Sequence, residues 1–212
     1  EETIKEINRV NPKAKASYSV LDLGDKESIE QFSRFVLNNC EKIDFLINNA
    51  GVMMVPERRE TKDGLEMQIG INHFGHFYLT YLLFPHLKKA DDFRITNVSS
   101  RAHLRTKQID FDDIHHKNSY NDISVYGQTK LANIYFTRLL QQKIASAKLN
   151  GTVTALHPGV VRTELTRYFK WYMKAVLGLF YPLWFLFTKN SKEGAQTSLY
   201  TVLEDKEKLV PG

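Results

Sequence analysis

The chain has a single cysteine, Cys40, among 212 residues. No internal disulfide can form, so nothing ties the protein to an oxidising compartment, and a cytoplasmic or cytosol-facing location is expected. Long apolar runs are lacking as well. The longest, residues 175–187, is shorter than a bilayer span and contains Pro182, which disfavours a membrane crossing but is compatible with peripheral contact at the cytosolic face of an intracellular membrane. The chain opens on two glutamates, with neither an initiator methionine nor a basic-then-apolar leader, so its start reads as internal. Internal repeats, low-complexity tracts and a second domain boundary are also missing. With 42% hydrophobic residues and 25% charged, residues 1–212 read as one domain around one substantial core. The net charge of +5 is spread along the chain and interleaved with acids, which argues against nucleic acid as a partner.

The apolar periodicity is clear. Ile4, Ile7 and Val10 recur at helical spacing before Asn11-Pro12. Residues 15–23 are β-prone and predict a strand, followed by an acidic helix start at Asp25 and an apolar face of Ile29, Phe32, Phe35 and Val36. Phe45-Leu46-Ile47 predicts a short buried strand that delivers Asn48-Asn49-Ala50-Gly51 at its end. Residues 94–100 predict a strand ending in two serines, and residues 152–157 one ending in Pro158-Gly159, with helices over about 64–89 and 124–148 between them. Such alternation predicts a parallel sheet covered on both faces, with chemistry at the C-terminal edge of its strands.

Tyr126-Gly127-Gln128-Thr129-Lys130 is the sharpest local signal, because residues four apart on a helix share a face. An ammonium beside a phenol favours the phenolate, which makes the pair a general acid/base. Taken alone, a Tyr and a Lys at this spacing are more often an exposed helix face. Here they follow Asn48 to Gly51, Asn72 and Ser100, and precede Pro158-Gly159 and Thr163, in that order. His73 with His76, and His115 with His116, lack the Cys or acidic partners of a ligand set, so no metal site is expected.

Over nearly its whole length the chain resembles the short-chain dehydrogenase/reductase family. Within it, Asn97-Val-Ser-Ser100-Arg-Ala-His103, Lys130-Leu-Ala-Asn133, His157-Pro-Gly-Val-Val-Arg-Thr-Glu164 and Glu193-Gly-Ala-Gln-Thr-Ser198 resemble the retinol dehydrogenase group. The resemblance implies that Tyr126 exchanges a proton with the substrate oxygen, and that Lys130 lowers the tyrosine pKa and holds the nicotinamide ribose. It implies that Ser100 orients the carbonyl and that Asn72 holds a water linking Lys130 to solvent. Asn48 and Ala50 would contact the ribose side of the cofactor, and Asp22 the adenine. Pro158, Gly159, Val161 and Thr163 would line the nicotinamide and phosphates.

The family's Gly-x-x-x-Gly-x-Gly turn has no counterpart in this sequence. The implied fold is therefore a Rossmann-like, doubly wound parallel α/β sheet without its first two strands and its last, so that residues 15–23 lack a neighbour. The implied activity is an NAD(P)-dependent oxidoreductase interconverting an apolar alcohol and its carbonyl, whether retinoid, steroid or lipid-derived. NADP or NAD would serve, the resemblance leaning to NADP. Residues 168–187 would cover the greasy substrate, and a homodimer would pack through Phe77, Leu82, Ile134 and Phe136. The other expectation, from the absent glycine turn, is a catalytically inactive short-chain dehydrogenase that serves as an interaction protein.

Overall fold

The computed structural model describes residues 2–169, 171, 178, 188–209 and 211. Most of the apolar stretch 168–187, with the expectation that it covers the substrate, lies outside the described residues. Helix α1 (Glu2–Val10) forms as the spacing predicts, although none of its residues is buried. Helix α2 (Lys26–Asn39) starts at Asp25, whose carboxylate accepts from the backbone N–H groups of Glu27 and Ser28, two donors that the helix itself leaves unsatisfied.

Strand β1 (Phe45–Asn48) is followed by a helical run in three parts. Glu66 caps the short α3 (Met67–Ile69), a π turn spans Gly70–Gly75, and α4 continues over His76–Leu87. The periodicity predicted one unbroken helix here. The π turn is the difference, and such turns cluster at functional positions; Asn72 lies within it. Strand β2 (Phe93–Val98), helix α5 (Asp122–Ser146) and strand β3 (Gly151–Leu156) follow. Helix α6 (Ser191–Leu203) opens with a capping box between Asn190 and Glu193.

The three strands form one parallel sheet in the order β1-β2-β3, with α3 and α4 in the first crossover and α5 in the second, which is the expected Rossmann-like winding. Alternate residues of β2 serve opposite faces. Phe93 and Ile95 join Leu79, Leu83 and Leu87 of α4 and Ile144 of α5 in the main core, and Asn97 donates to Thr137 of α5 at 2.9 Å. Arg94 and Thr96 turn to α6, where Arg94 donates to the Glu204 carbonyl and the Thr96 and Thr201 hydroxyls meet at 2.9 Å.

Two expectations are corrected. Residues 15–23 make no ladder among the described residues, and Val20 is 81% exposed; β-prone residues become a strand only when a partner takes their backbone groups. Phe45 and Ile47 were expected to be buried but are 47% and 41% exposed. They share a face with Arg94 and Thr96, and on that face α6 lies mainly against β2 and to a lesser extent against β3.

Candidate active site

Helix α5 begins where the Asn121 side chain accepts from Ser124 N–H at 2.9 Å, and its first turns are buried against the end of β2. Tyr126 is 6% exposed and Lys130 4%. The Ser99 hydroxyl, from the residue after β2, donates to the Lys130 carbonyl at 2.7 Å, which locks the helix to the strand end. The Lys130 ammonium donates to the Val98 carbonyl at 3.0 Å and lies 5.5 Å from the centre of the Tyr126 ring. Among the described residues that carbonyl is its only hydrogen-bond acceptor, so two of its three donors remain for another group. Burial alone pushes the Lys130 pKa down to about 8, since a charge taken out of water is disfavoured.

Ser100 accepts from Ala102 N–H at 3.2 Å, which starts a 3-10 turn over Arg101–Arg105 and leaves the Ser100 hydroxyl near the Tyr126 phenol. Burial raises the Tyr126 pKa, and the nearby Ser100 hydroxyl offsets only part of this. The phenol pKa thus lies above its ordinary value, with burial as the largest cause. The phenol is held neutral, because loss of water outweighs the stabilisation of its anion.

Asn72, fully buried in the π turn, accepts from Val52 N–H at 2.8 Å and donates to the Val52 carbonyl at 2.9 Å and to Thr129 Oγ1 at 3.2 Å. The two amide hydrogens are thus spent on the chain that follows β1 and on α5, and one lone pair of Oδ1 is left. A Cβ on Gly51 would lie 2.9 Å from that oxygen and 3.9 Å from Lys130 Nζ. Only glycine keeps this gap open, and Asn72 and Lys130 both border it.

The other expected residues are placed unequally. Asn48 is 2% exposed and points under the edge: its Nδ2 donates to Thr80 Oγ1 at 3.0 Å and to Asn97 Oδ1 at 2.8 Å, and its own Oδ1 is buried without a partner. Ala50 is exposed at the edge. Pro158 and Gly159 form the turn after β3, Gly159 with φ +91°, a conformation that side chains resist. Val161 pairs with Lys189, and Thr163 starts a 3-10 turn by accepting from Leu165 N–H at 3.4 Å. Arg167 in that turn donates to the Gly51 carbonyl at 3.2 Å, which draws the chain after β3 across the chain after β1. Asp22 is exposed, and its Oδ1 accepts from Gly24 N–H at 2.8 Å; Asp25, not Asp22, caps α2. Tyr126, Lys130, Ser100, Asn72 and Gly51 therefore converge, with the Pro158 to Thr163 segment as a rim, Asn48 beneath, and Asp22 apart beside Ile71.

Ser99, Thr129 and Asn133 were given no role from the sequence, and His73 and His76 were weighed there only as metal ligands. Asn133 carries the signal that drew attention to Asn72, a poor helix former inside a buried helix. Among the described residues no group of three or more His, Cys, Asp or Glu is placed to hold a metal ion, and His73 and His76 instead meet Asn133 and the Asn72 carbonyl. No described helix is long and apolar enough to cross a membrane.

A doubly wound parallel sheet with a Tyr–Lys pair, a serine and an asparagine gathered at the C-terminal edge defines a Rossmann-type oxidoreductase domain as the class. Comparison with known proteins agrees: a family model, short chain dehydrogenase, matches residues 1–171, and the chain belongs to that family. It is 44% identical over 190 residues to mouse retinol dehydrogenase 12, covering 89% of this chain and 57% of the relative. To human retinol dehydrogenase 13 it is 41% identical over 197 residues, covering 91% and 57%. The chain thus spans under two thirds of the length of these relatives. Among solved structures, an uncharacterised protein of Mycobacterium paratuberculosis superposes with a TM-score of 0.72 at 32% identity, covering all of this chain and 66% of that one. An oxidoreductase from E. coli does so with 0.69 at 18% identity, covering 98% and 75%, a likeness of fold.

Proposed function

We propose that the chain carries the catalytic centre of an NAD(P)-dependent oxidoreductase that interconverts an apolar alcohol and its carbonyl, of retinoid, steroid or lipid-derived type. The observation that carries this is the buried Tyr126–Lys130 pair, with the Ser100 hydroxyl near the phenol at the strand edge. The names of the relatives support the retinoid-like substrate class. A nicotinamide cofactor fits the residues present: Lys130 has two donors free among the described residues, the Gly51 gap admits close approach, and Gly159 gives the rim a turn without a side chain. Lys130 and the backbone around Ala50 would hold its ribose, and Pro158, Gly159, Val161 and Thr163 its nicotinamide end. When bound, the cofactor supplies or accepts the hydride.

In the reducing direction the substrate oxygen sits between the Ser100 hydroxyl and the Tyr126 phenol. Ser100 donates a hydrogen bond that polarises the carbonyl. Tyr126, kept neutral by its burial, holds the proton that passes to the oxygen as the carbon gains its hydride, so that one hydride and one proton together convert carbonyl to alcohol. Lys130, still largely protonated at neutral pH, stabilises the phenolate that this leaves. The reverse direction uses the same phenolate as base. NADP is the favoured cofactor. The exposed Phe77, with Phe136 at 5.2 Å between ring centres, supplies an apolar face for a homodimer, whereas Leu82 packs on the core. A cytosolic site of action, with contact to an intracellular membrane surface, suits an apolar substrate.

The test is turnover of retinaldehyde and medium-chain aldehydes by the full-length protein, with NADPH and with NADH. Tyr126→Phe should lower turnover by about a hundredfold or more while leaving the melting temperature nearly unchanged, as removal of an acid/base does. Absence of turnover with every carbonyl, or near-normal activity in Tyr126→Phe, would overturn the assignment.

A further inference from the structure

One helical turn beyond Lys130, Asn133 is 3% exposed. Its Nδ2 donates to the Asn72 carbonyl at 3.1 Å and to the Val98 carbonyl at 3.4 Å, and the Val98 carbonyl is the one that receives the Lys130 ammonium. A single amide therefore joins the π turn, the end of β2 and the anchor of the lysine. These two acceptors dictate which way the amide faces, since only its nitrogen carries hydrogens. Its oxygen is thereby left to His73 Nδ1 at 3.1 Å, so that nitrogen must carry the proton. His73 sits under the Phe77 and Phe136 rings, and burial pushes its pKa down, which keeps the ring neutral. His76 Nδ1 meets the same Asn72 carbonyl from the other side at 3.1 Å.

We propose that Asn133 is a positioning residue for Lys130: it fixes the Val98 carbonyl that anchors the ammonium and ties it to the Asn72 carbonyl, while His73 holds the amide the right way round. The inference rests on Tyr126 and Lys130 acting as the acid/base pair. A hydrophobic side chain would fill the same space, but it would leave two buried carbonyls short of a donor and the anchor free to shift. The titratable groups that face Lys130 are Tyr126 from its own helix and His76 from α4, and among the described residues no carboxylate contributes to its pKa.

The experiment uses the full-length protein, with Tyr126→Phe run alongside. Asn133→Leu should lower kcat by about tenfold or more, leave the substrate KM within about threefold, and move the limb of the kcat–pH profile set by the Tyr–Lys pair by about half a unit or more. His73→Gln, whose amide can still donate to the Asn133 oxygen, should retain activity that His73→Leu loses. Asn133→Leu with a lowered melting temperature but an unmoved pH profile and kcat would reduce Asn133 to a packing residue and overturn the inference, while a normal Tyr126→Phe would instead strike the acid/base assignment. A second measurement needs no turnover: nitrogen-15 shifts of the His73 ring should show the proton on Nδ1 in the resting protein. A ring protonated only on Nε2 would overturn the inference whatever the kinetics.

Discussion

The two faces of the three-stranded sheet are built to different standards. On the face toward α4 and α5 every position of β2 is used: Phe93 and Ile95 are at most 1% exposed, and Asn97 is bonded to both Asn48 and Thr137. On the face toward α6 the cover extends over Arg94, Thr96 and Thr154 but leaves Phe45 and Ile47 of β1 half in solvent. Every buried member of the catalytic arrangement hangs from the first face, through the π turn and α5. Placement of a reacting phenol to within a fraction of an ångström requires supports that are themselves immobile, and only the saturated face offers them.

The contrast predicts unequal costs for the same substitution. Phe93→Ala should lower unfolding free energy by about 3–5 kcal/mol, the usual cost of deleting a buried aromatic ring, because α4 and α5 cannot collapse into the space. Phe45→Ala, on a strand next to it, should cost less than about 1 kcal/mol, since much of its ring already meets water. Urea titration of the two variants against the parent measures both. Equal costs would show that β1 is covered on both faces in solution and would break the comparison.

A pH titration sharpens it further. His76, buried on the saturated face, has its pKa pushed down to about 4 by burial, from an ordinary value of 6.5. Between those limits the unfolded chain binds a proton that the folded chain refuses, so stability falls as pH drops from 6.5 toward 4 and levels off below. The span corresponds to about 3 kcal/mol at most. His76→Gln should flatten that acid limb in denaturant unfolding at pH 7, 5.5 and 4.5. Lys130 works in another window: with its pKa lowered to about 8 from 10.5, its burial penalty is relieved as pH rises from about 8 to 10.5, and stability should climb there.

Much of this was legible in the sequence, and the rest was not for identifiable reasons. Strands and helices followed from period and punctuation, and Tyr126 with Lys130 followed from a spacing of four that survives any packing. The π turn did not, since one extra residue per turn leaves no hydrophobic signature; only Asn72 between Gly70 and Gly75 hinted at it. The burial that raises the Tyr126 pKa was not legible, because spacing shows the neighbouring ammonium but not the desolvation of the phenol. Apolar character at Phe45 and Ile47 states what a residue favours, whereas exposure depends on which element arrives to cover it.

The smallest expected effect lies where coverage is least. Residues 15–23 are as β-prone as any strand here, yet Val20 is 81% exposed and no ladder forms among the described residues. Since burial, not propensity, makes a branched side chain stabilising in a sheet, Val20→Lys in residues 1–212 should change stability by less than about 0.5 kcal/mol. The lysine should also lessen self-association, because charge on an exposed β-prone segment opposes edge-to-edge pairing. Amides of residues 17–21 should exchange with solvent near the rate of an unstructured chain, while those of Ile95 and Val153 exchange only through global opening. If Val20→Lys instead cost about 2 kcal/mol, the magnitude of fully burying a valine, and those amides were protected, a further strand would have to lie against residues 15–23.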